Sequence, residues 1–463
     1  MPASTRTTDD VILKDTTSRV AVIGGGIAGL TSALRLAERG KAVTLFEGSG
    51  QLGGLGTFFE HEGRTFEKFY HCMLPSDGPL LALLEDLGLR GETYWKPTSF
   101  GYWHDSKVLP LNKAVDLLRF SPLDFLSRLR VGFTGVYGRM VSDRGLDDIS
   151  AVDWLTRLSG RSAFERFWKP MLQAKFGDRY QQVPALWFWS RFNREKGDAK
   201  GEEKGYIRGG YKRIVDTIVD RLRQLGVQIR MNEPVASVEL EASNHPVIVT
   251  EEGRSRFDTV VVTSPWPIFY KSAGPRLRSL MPEMKQEIDY QGVINCLLFL
   301  RRPLTPHYWV ATPQEQFPFD GAIETSTLTE EGDRGEGRHL VYLTKYLHRT
   351  DPRMAEADDA IVTRWWDSLK TVFPELRDED VEARFVFKAP FVEPIFTKGY
   401  LKLRPPESLV PGRIYLSTTA QLYPTVTAWN GVVDQVNRTL AIVDAEIQGE
   451  ATSVASASMF HSV

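Results

Sequence analysis

The stretch "RVAVIGGGIAGLTSALRLAERGKAVTLFE" constrains this chain more than any other. Val20 to Ile23 is a short apolar, mostly β-branched run, suited to a buried parallel strand. Gly24, Gly26 and Gly29 follow as G-x-G-x-x-G, and Leu30, Ala33, Leu34 and Ala37 then recur at helical spacing. Gly40 ends that helix, "AVTLF" forms a second strand, and Glu47 closes it, about 20 residues beyond the glycines. Each part has a physical task. Gly24 permits a tight turn, Gly26 lets backbone approach a pyrophosphate at a helix N-terminus, and Gly29 lets helix and strand pack closely. Glu47 is placed to accept hydrogen bonds from ribose hydroxyls. Strand, glycines, helix, strand and acid in this order describe a dinucleotide-binding unit.

The 463 residues allow two or three domains and a substantial core. With 42% hydrophobic residues, 25% charged residues and a net charge of −2, nothing points to nucleic acid or an acidic partner. Cys72 and Cys296 are too few and too far apart for a disulfide framework or a cysteine metal site, so no metal and a reducing, cytoplasmic setting are expected. No apolar run approaches the roughly 18 residues that span a bilayer, and the polar start has no signal-peptide core. Residues 1–18 and 447–463 read as flexible ends.

A second glycine cluster, Gly53, Gly54, Leu55, Gly56 and Thr57, follows the acid directly. It resembles the second motif of the flavin-containing amine oxidase and protoporphyrinogen oxidase-like superfamily, with Leu55 and Gly56 where that motif carries arginine. The resemblance runs from about Arg19 to Glu446. It implies non-covalent FAD and an α/β FAD-binding Rossmann-like domain of the GR2 type, assembled from residues 19–75, 201–270 and 405–446. An inserted α+β substrate domain would comprise a mainly helical region, 76–200, and a sheet-and-helix region, 271–404. Val227 to Arg230 and Pro234 to Val238 read as strands. The resemblance also assigns cofactor contacts to Ile27, Ala28, Gly48, Phe69, Tyr70, Val235, Thr263 and Thr419, and to Asn430, Gly431 and Val432 at the start of the last helix, whose dipole suits an anionic reduced flavin.

Departures from the pattern bear on the reaction. Asn295 stands where monoamine oxidases carry a lysine that holds a water near the flavin, and Ala428 stands where the amine cage has a tyrosine. A primary-amine oxidase therefore fits poorly. "FEKFYHC" and "AKFG" are also similar to segments of UDP-galactopyranose mutase, although the C-terminal loop "TTAQLYPTVT" lacks that family's arginines. Three readings follow: an FAD-dependent oxidase, dehydrogenase or desaturase in natural-product, polysaccharide or isoprenoid-type biosynthesis; a redox-neutral mutase or isomerase; and a non-catalytic flavin-binding partner.

For the chemistry, His71 can bond the flavin or move a proton, and it can equally be a packed histidine. Lys68, Asn295 and Tyr423 are the further catalytic candidates. Lys175 and Arg191 are candidates for an anionic substrate group, with Trp187, Trp189 and Tyr342 as ring-stacking or channel residues and core packing as the plain alternative. Cys72 reads as a small buried apolar residue. The segment "LLRFSPLDFLSRLRVGFTGVYGRM" interleaves Leu, Phe and Val with Arg. It suits either a membrane interface admitting a lipid-like substrate or a core helix pair with snorkelling arginines.

Overall fold

The computed structural model describes residues 18–194, 203–281, 288–313, 316–425 and 427–447. Apart from Ser18 and Ile447, both expected flexible ends lie outside the described residues.

The opening unit folds as its sequence dictates. Strand Arg19–Ile23 runs into helix Ile27–Glu38, and Ala42–Phe46 returns parallel beside the first strand, with Val22 opposite Leu45. Thr259–Val262 pairs on the other side, also in parallel. Gln228–Arg230 extends one edge; Ile414–Leu416 and the antiparallel Ser408–Val410 extend the other. Such a parallel sheet must be covered on both faces, which explains strands such as "TVVV", buried at every position. Helices Ile27–Glu38, Gly210–Gln224 and Trp429–Ile447 carry apolar stripes that join a single buried cluster with Val20, Val22 and Val261.

In a second sheet of seven strands Tyr290–Leu300 lies next to one edge, between His339–His348 and the edge strand Val381–Pro394. Every residue of Tyr290–Leu300 is buried, because helix Asp358–Val372 covers one face and chain from the first sheet's region covers the other.

Two expectations need correction. The described residues of region 76–200 are helical at Gly78–Asp86 and mainly helical from 114 to 194, but Thr93–Pro97, Phe100–His104 and Lys107–Pro110 are strands. The first pairs with Glu203–Ile207, and the second joins the seven-stranded sheet through Trp309–Ala311. Residues 234–236 are not a strand. The strand begins at Ser237, where a three-stranded antiparallel sheet opens.

Candidate functional site

The two glycine turns lean against each other. Gly25 donates its N–H to Glu47 Oε2 at 2.6 Å, and Ser49 N–H donates to Glu47 Oε1 at 2.8 Å. Gly53 N–H reaches the Gly25 carbonyl at 2.8 Å. Gly54, at φ +59°, lies so close that a Cβ there would come within 3.0 Å of Gly26 Cα. Thr263 Oγ1 donates to the Ile23 carbonyl and crowds the turn, so that a side chain at Gly24 would meet it at 2.7 Å. Gly26 is the N-cap of helix Ile27–Glu38 and supplies no side-chain cap, and the first turn carries no acid. The helix start thus presents backbone donors to an anion. Gly48 packs on Pro234, and Val235 follows, half-buried.

From Thr57 the chain enters hairpin Phe58–His61 and Arg64–Glu67, then the turn holding Lys68, Phe69, Tyr70 and His71. This segment faces the seven-stranded sheet. Phe59 packs between Phe385 and Phe387 at 4.8 Å each, Tyr342 Oη donates to the Glu67 carbonyl at 2.7 Å, and the Tyr70 and Tyr346 hydroxyls lie 3.3 Å apart. Burial pushes the Tyr346 phenol up to about 12. On this same sheet face Asn295 stands opposite Thr344, and among the described residues neither Asn295 Oδ1 nor Thr344 Oγ1, both buried, has a hydrogen-bond partner. Orphaned buried oxygens cost about 1–3 kcal/mol each unless something bonds them. A cavity of about 550 Å³ opens between Gly54, Leu55, Thr57, Lys68 and Phe69 on one wall and 386–390 on the other. Lys68 Nζ donates to Gln51 Oε1 at its rim. An open helix start, a ribose-ready acid and unpartnered oxygens beyond the second glycine turn fit a dinucleotide whose reactive ring lies against the sheet.

The model of one protein family, flavin containing amine oxidoreductase, matches residues 27–427. The chain belongs to that family. It has that flavin-containing family's mixed α/β fold. The tobacco (Nicotiana tabacum) mitochondrial protoporphyrinogen oxidase is 32% identical over 108 residues, 23% of this chain and 20% of that one. The coproporphyrinogen III oxidase of Staphylococcus aureus is 23% identical over 290 residues, 55% of this chain and 62% of that one. The chain therefore spans less than two thirds of these relatives. A crystal structure of reduced UDP-galactopyranose mutase shares the fold, with a TM-score of 0.74 at 16% identity, covering 94% of this chain and 96% of that one.

A carboxylate that the sequence pattern does not single out ties this segment to a helix start. Glu67 is 7% exposed. It accepts from Tyr206 Oη at 2.7 Å and from the Tyr211 N–H at 2.8 Å, and its Oε2 lies 3.4 Å from His71 Nδ1. Tyr211 sits in the first turn of helix Gly210–Gln224, so the acid complements the helix dipole. The Gly209–Gly210 pair permits this approach: a Cβ on Gly210 would stand 3.1 Å from Glu67 Oε1. His71 stacks on Tyr211 at 4.7 Å and meets the edge of Trp429 at 5.7 Å. Trp429 also fills the space beside Gly56, where a Cβ would lie 2.3 Å from its ring. An acidic residue on a strand otherwise notable for its aromatics is the available signal for Glu67.

Other candidates sit differently from expectation. Tyr423, 1% exposed, packs among Phe396 and Tyr400 and donates to buried Asp147 at 2.6 Å. It is a core residue rather than a wall of the cavity. Tyr423→Phe should lower stability by about 1–3 kcal/mol while flavin content stays unchanged; paired denaturation and absorbance measurements check this. Asn430 turns its side-chain oxygen to the Leu80 N–H, 3.0 Å away, at the start of helix Gly78–Asp86. Val432 uses its N–H on the Ala428 carbonyl, Gly431 is buried beside it, and Thr419 Oγ1 lies 3.0 Å from Tyr290 Oη. Lys175 Nζ is 2.5 Å from buried Glu393 and 3.7 Å from the Tyr346 ring centroid, so its charge is already balanced internally. Arg191 stacks on Trp187 at 4.6 Å, and Trp187 packs edge-on to Phe176 in the core. Trp189 Nε1 donates to the Val141 carbonyl at 2.9 Å and ties two helices together.

Beside Tyr346, burial raises the Asp320 carboxyl to about 6 despite Lys345 Nζ at 2.6 Å. The folded state then holds an extra proton between the unfolded carboxyl range and about pH 6. Stability should fall as pH rises across about 4 to 6, by roughly 3 kcal/mol, and level off above. Asp320→Asn should flatten that span in melting curves recorded against pH.

Proposed function

We propose that the chain moves a hydride from a substrate carbon to the flavin, which supplies the two-electron chemistry when bound. The carrying observation is the orphaned pair Asn295 Oδ1 and Thr344 Oγ1, on the sheet face that meets the Thr57 to His71 segment. In this reading Glu47 grips the ribose and the Gly26 helix start faces the pyrophosphate. The six-stranded sheet draws its strands from 19–46, 228–262 and 408–416, which supports an FAD domain assembled from three segments. The second sheet and the helices of 114–194 then belong to an inserted substrate domain. Tyr346, Tyr70 and the Lys175–Glu393 pair form a polar rim suited to orienting a small or lipid-like biosynthetic intermediate, and His71, steadied by Glu67, is the residue positioned to move a proton.

Candidate donors, porphyrinogens and polyene precursors among them, mixed anaerobically with the FAD-loaded chain should bleach the flavin absorbance once per active site. Turnover that requires pre-reduced flavin and leaves substrate oxidation state unchanged would replace this reading with a mutase-type reaction. Glu47→Ala should weaken FAD binding at least about tenfold, the loss of one charge-assisted hydrogen-bond acceptor. Titration of the apoprotein with FAD measures it, and unchanged affinity would mean that Glu47 is not a ribose ligand.

A further inference from the structure

Helix Phe125–Met140 has its polarity inverted. Its buried positions are Ser127, Val131, Thr134 and Gly138. Its outer positions carry Phe125 at 65% exposure, Leu126 at 57%, Leu129 at 46%, Phe133 at 56%, Val136 at 60% and Met140 at 80%. At 3.6 residues per turn these six fall within an arc of roughly 100° along a helix about 24 Å long. Arg130 borders the arc on one side, with Arg128 and Arg139 on the other, and the helix contains no Asp or Glu. Val115 and Leu118, exposed on the neighbouring helix Ala114–Arg119, extend the patch. Scattered exposed apolar residues are ordinary, but an unbroken stripe of this size is not.

We propose that this helix docks in the plane of an anionic lipid bilayer. The apolar arc enters the boundary between headgroups and acyl chains, about 5–10 Å deep. Exposed Arg130 extends to lipid phosphates, and Arg128, held by the Leu118 and Leu123 carbonyls, adds positive charge on the other flank. Charge selects this occupant over a second copy. The residues 113–144 hold Lys113, Arg119, Arg128, Arg130, Arg139 and Arg144 against Asp116, Asp124 and Asp143, a net of +3 on a chain whose total is −2. A self-docked pair would press two net-positive surfaces together. Attachment is peripheral: among the described residues no helix is long and apolar enough to cross a membrane. The inner face of the helix packs on Ala185–Arg194, where Asn193 Nδ2 donates to the Gly138 carbonyl and a Cβ on Gly138 would meet Phe192 at 2.5 Å. Lipid contact therefore lies one helix away from Trp187 and Arg191.

The test is flotation of the flavin-loaded full chain with phosphatidylglycerol-containing vesicles and with pure phosphatidylcholine vesicles. The chain should float with the anionic vesicles and less with the neutral ones, and added salt should weaken the association. The exposed double variant Phe133→Glu, Val136→Glu should lose at least about tenfold in partitioning with flavin content and melting unchanged. Arg130→Gln with Arg139→Gln should lower binding to the anionic vesicles alone. No flotation with either vesicle, or equal flotation of the parent and the glutamate variant, overturns the proposal. So does a concentration-dependent dimer that the glutamate variant dissolves without any flotation of the parent.

Discussion

Valine at position 29 should leave the chain unable to hold flavin. The reason is backbone, not side chain. A Cβ on Gly29 would lie 1.7 Å from the Gly24 carbonyl oxygen and 2.9 Å from its carbonyl carbon, with Thr263 Oγ1 at 3.0 Å behind. No rotamer relieves a clash that begins at Cβ, so helix Ile27–Glu38 must lift off strand Arg19–Ile23. Leu30, Ala33 and Leu34 are fully buried in that contact, and lifting the helix opens it. The expected loss exceeds about 4 kcal/mol, the range reserved for gross packing failure. Flavin absorbance per protein should fall to background, and soluble yield should drop with it. Gly135→Ala is the matched control. Gly135 is mid-helix, and a Cβ there would meet nothing within 4 Å, so alanine should be neutral or stabilising by about 0.5–1 kcal/mol. Equal flavin content in Gly29→Val and the parent would refute the close approach of helix and strand.

That site was legible because everything it needs lies within one short stretch. Turn, helix start and acid are separated by fewer than 30 residues, and their roles follow from backbone geometry that few other residues allow. The last helix was readable through the resemblance of its segment to the family. Thr93–Pro97 and Phe100–His104 were not. Each is five residues long: Thr93–Pro97 pairs with Glu203–Ile207, more than 100 residues away, and Phe100–His104, though hairpinned to Lys107–Pro110, enters its sheet through the distant Trp309–Ala311. Tyr423 shows the same limit at a single side chain. Its neighbours in sequence place it in a loop expected near the flavin, but Asp147, 276 positions earlier, decides that it points into the core. Lys175 reads as a free cation until Glu393 appears beside it. A distant partner takes part in each of these outcomes.

Glu67 is where local and long-range information combine, and its removal should have the second-largest effect. The stretch "TFEKFYHC" shows a carboxylate one residue before Lys68; the fold takes it inward and gives it the Tyr206 hydroxyl, the Tyr211 N–H and the His71 imidazole. Glu67→Ala strips the acceptor from buried donors at a helix start, and about 3–5 kcal/mol of stability should go with it. Glu67→Gln separates the structural part from the chemical part. Its amide oxygen, in the place of Oε1, can still accept from both the Tyr211 N–H and the Tyr206 hydroxyl, and its amide nitrogen then faces His71 Nδ1. Stability should then fall by only about 1–2 kcal/mol, and FAD should remain bound. What the amide cannot supply is a negative charge beside His71. If His71 moves a proton in the reaction, Glu67→Gln lowers the limiting rate and displaces the pH profile of flavin reduction while the melting temperature changes little. A variant that melts normally and reduces its flavin at the parent's rate and pH profile would assign Glu67 to the helix start alone and return His71 to a packing residue between Tyr211 and Trp429.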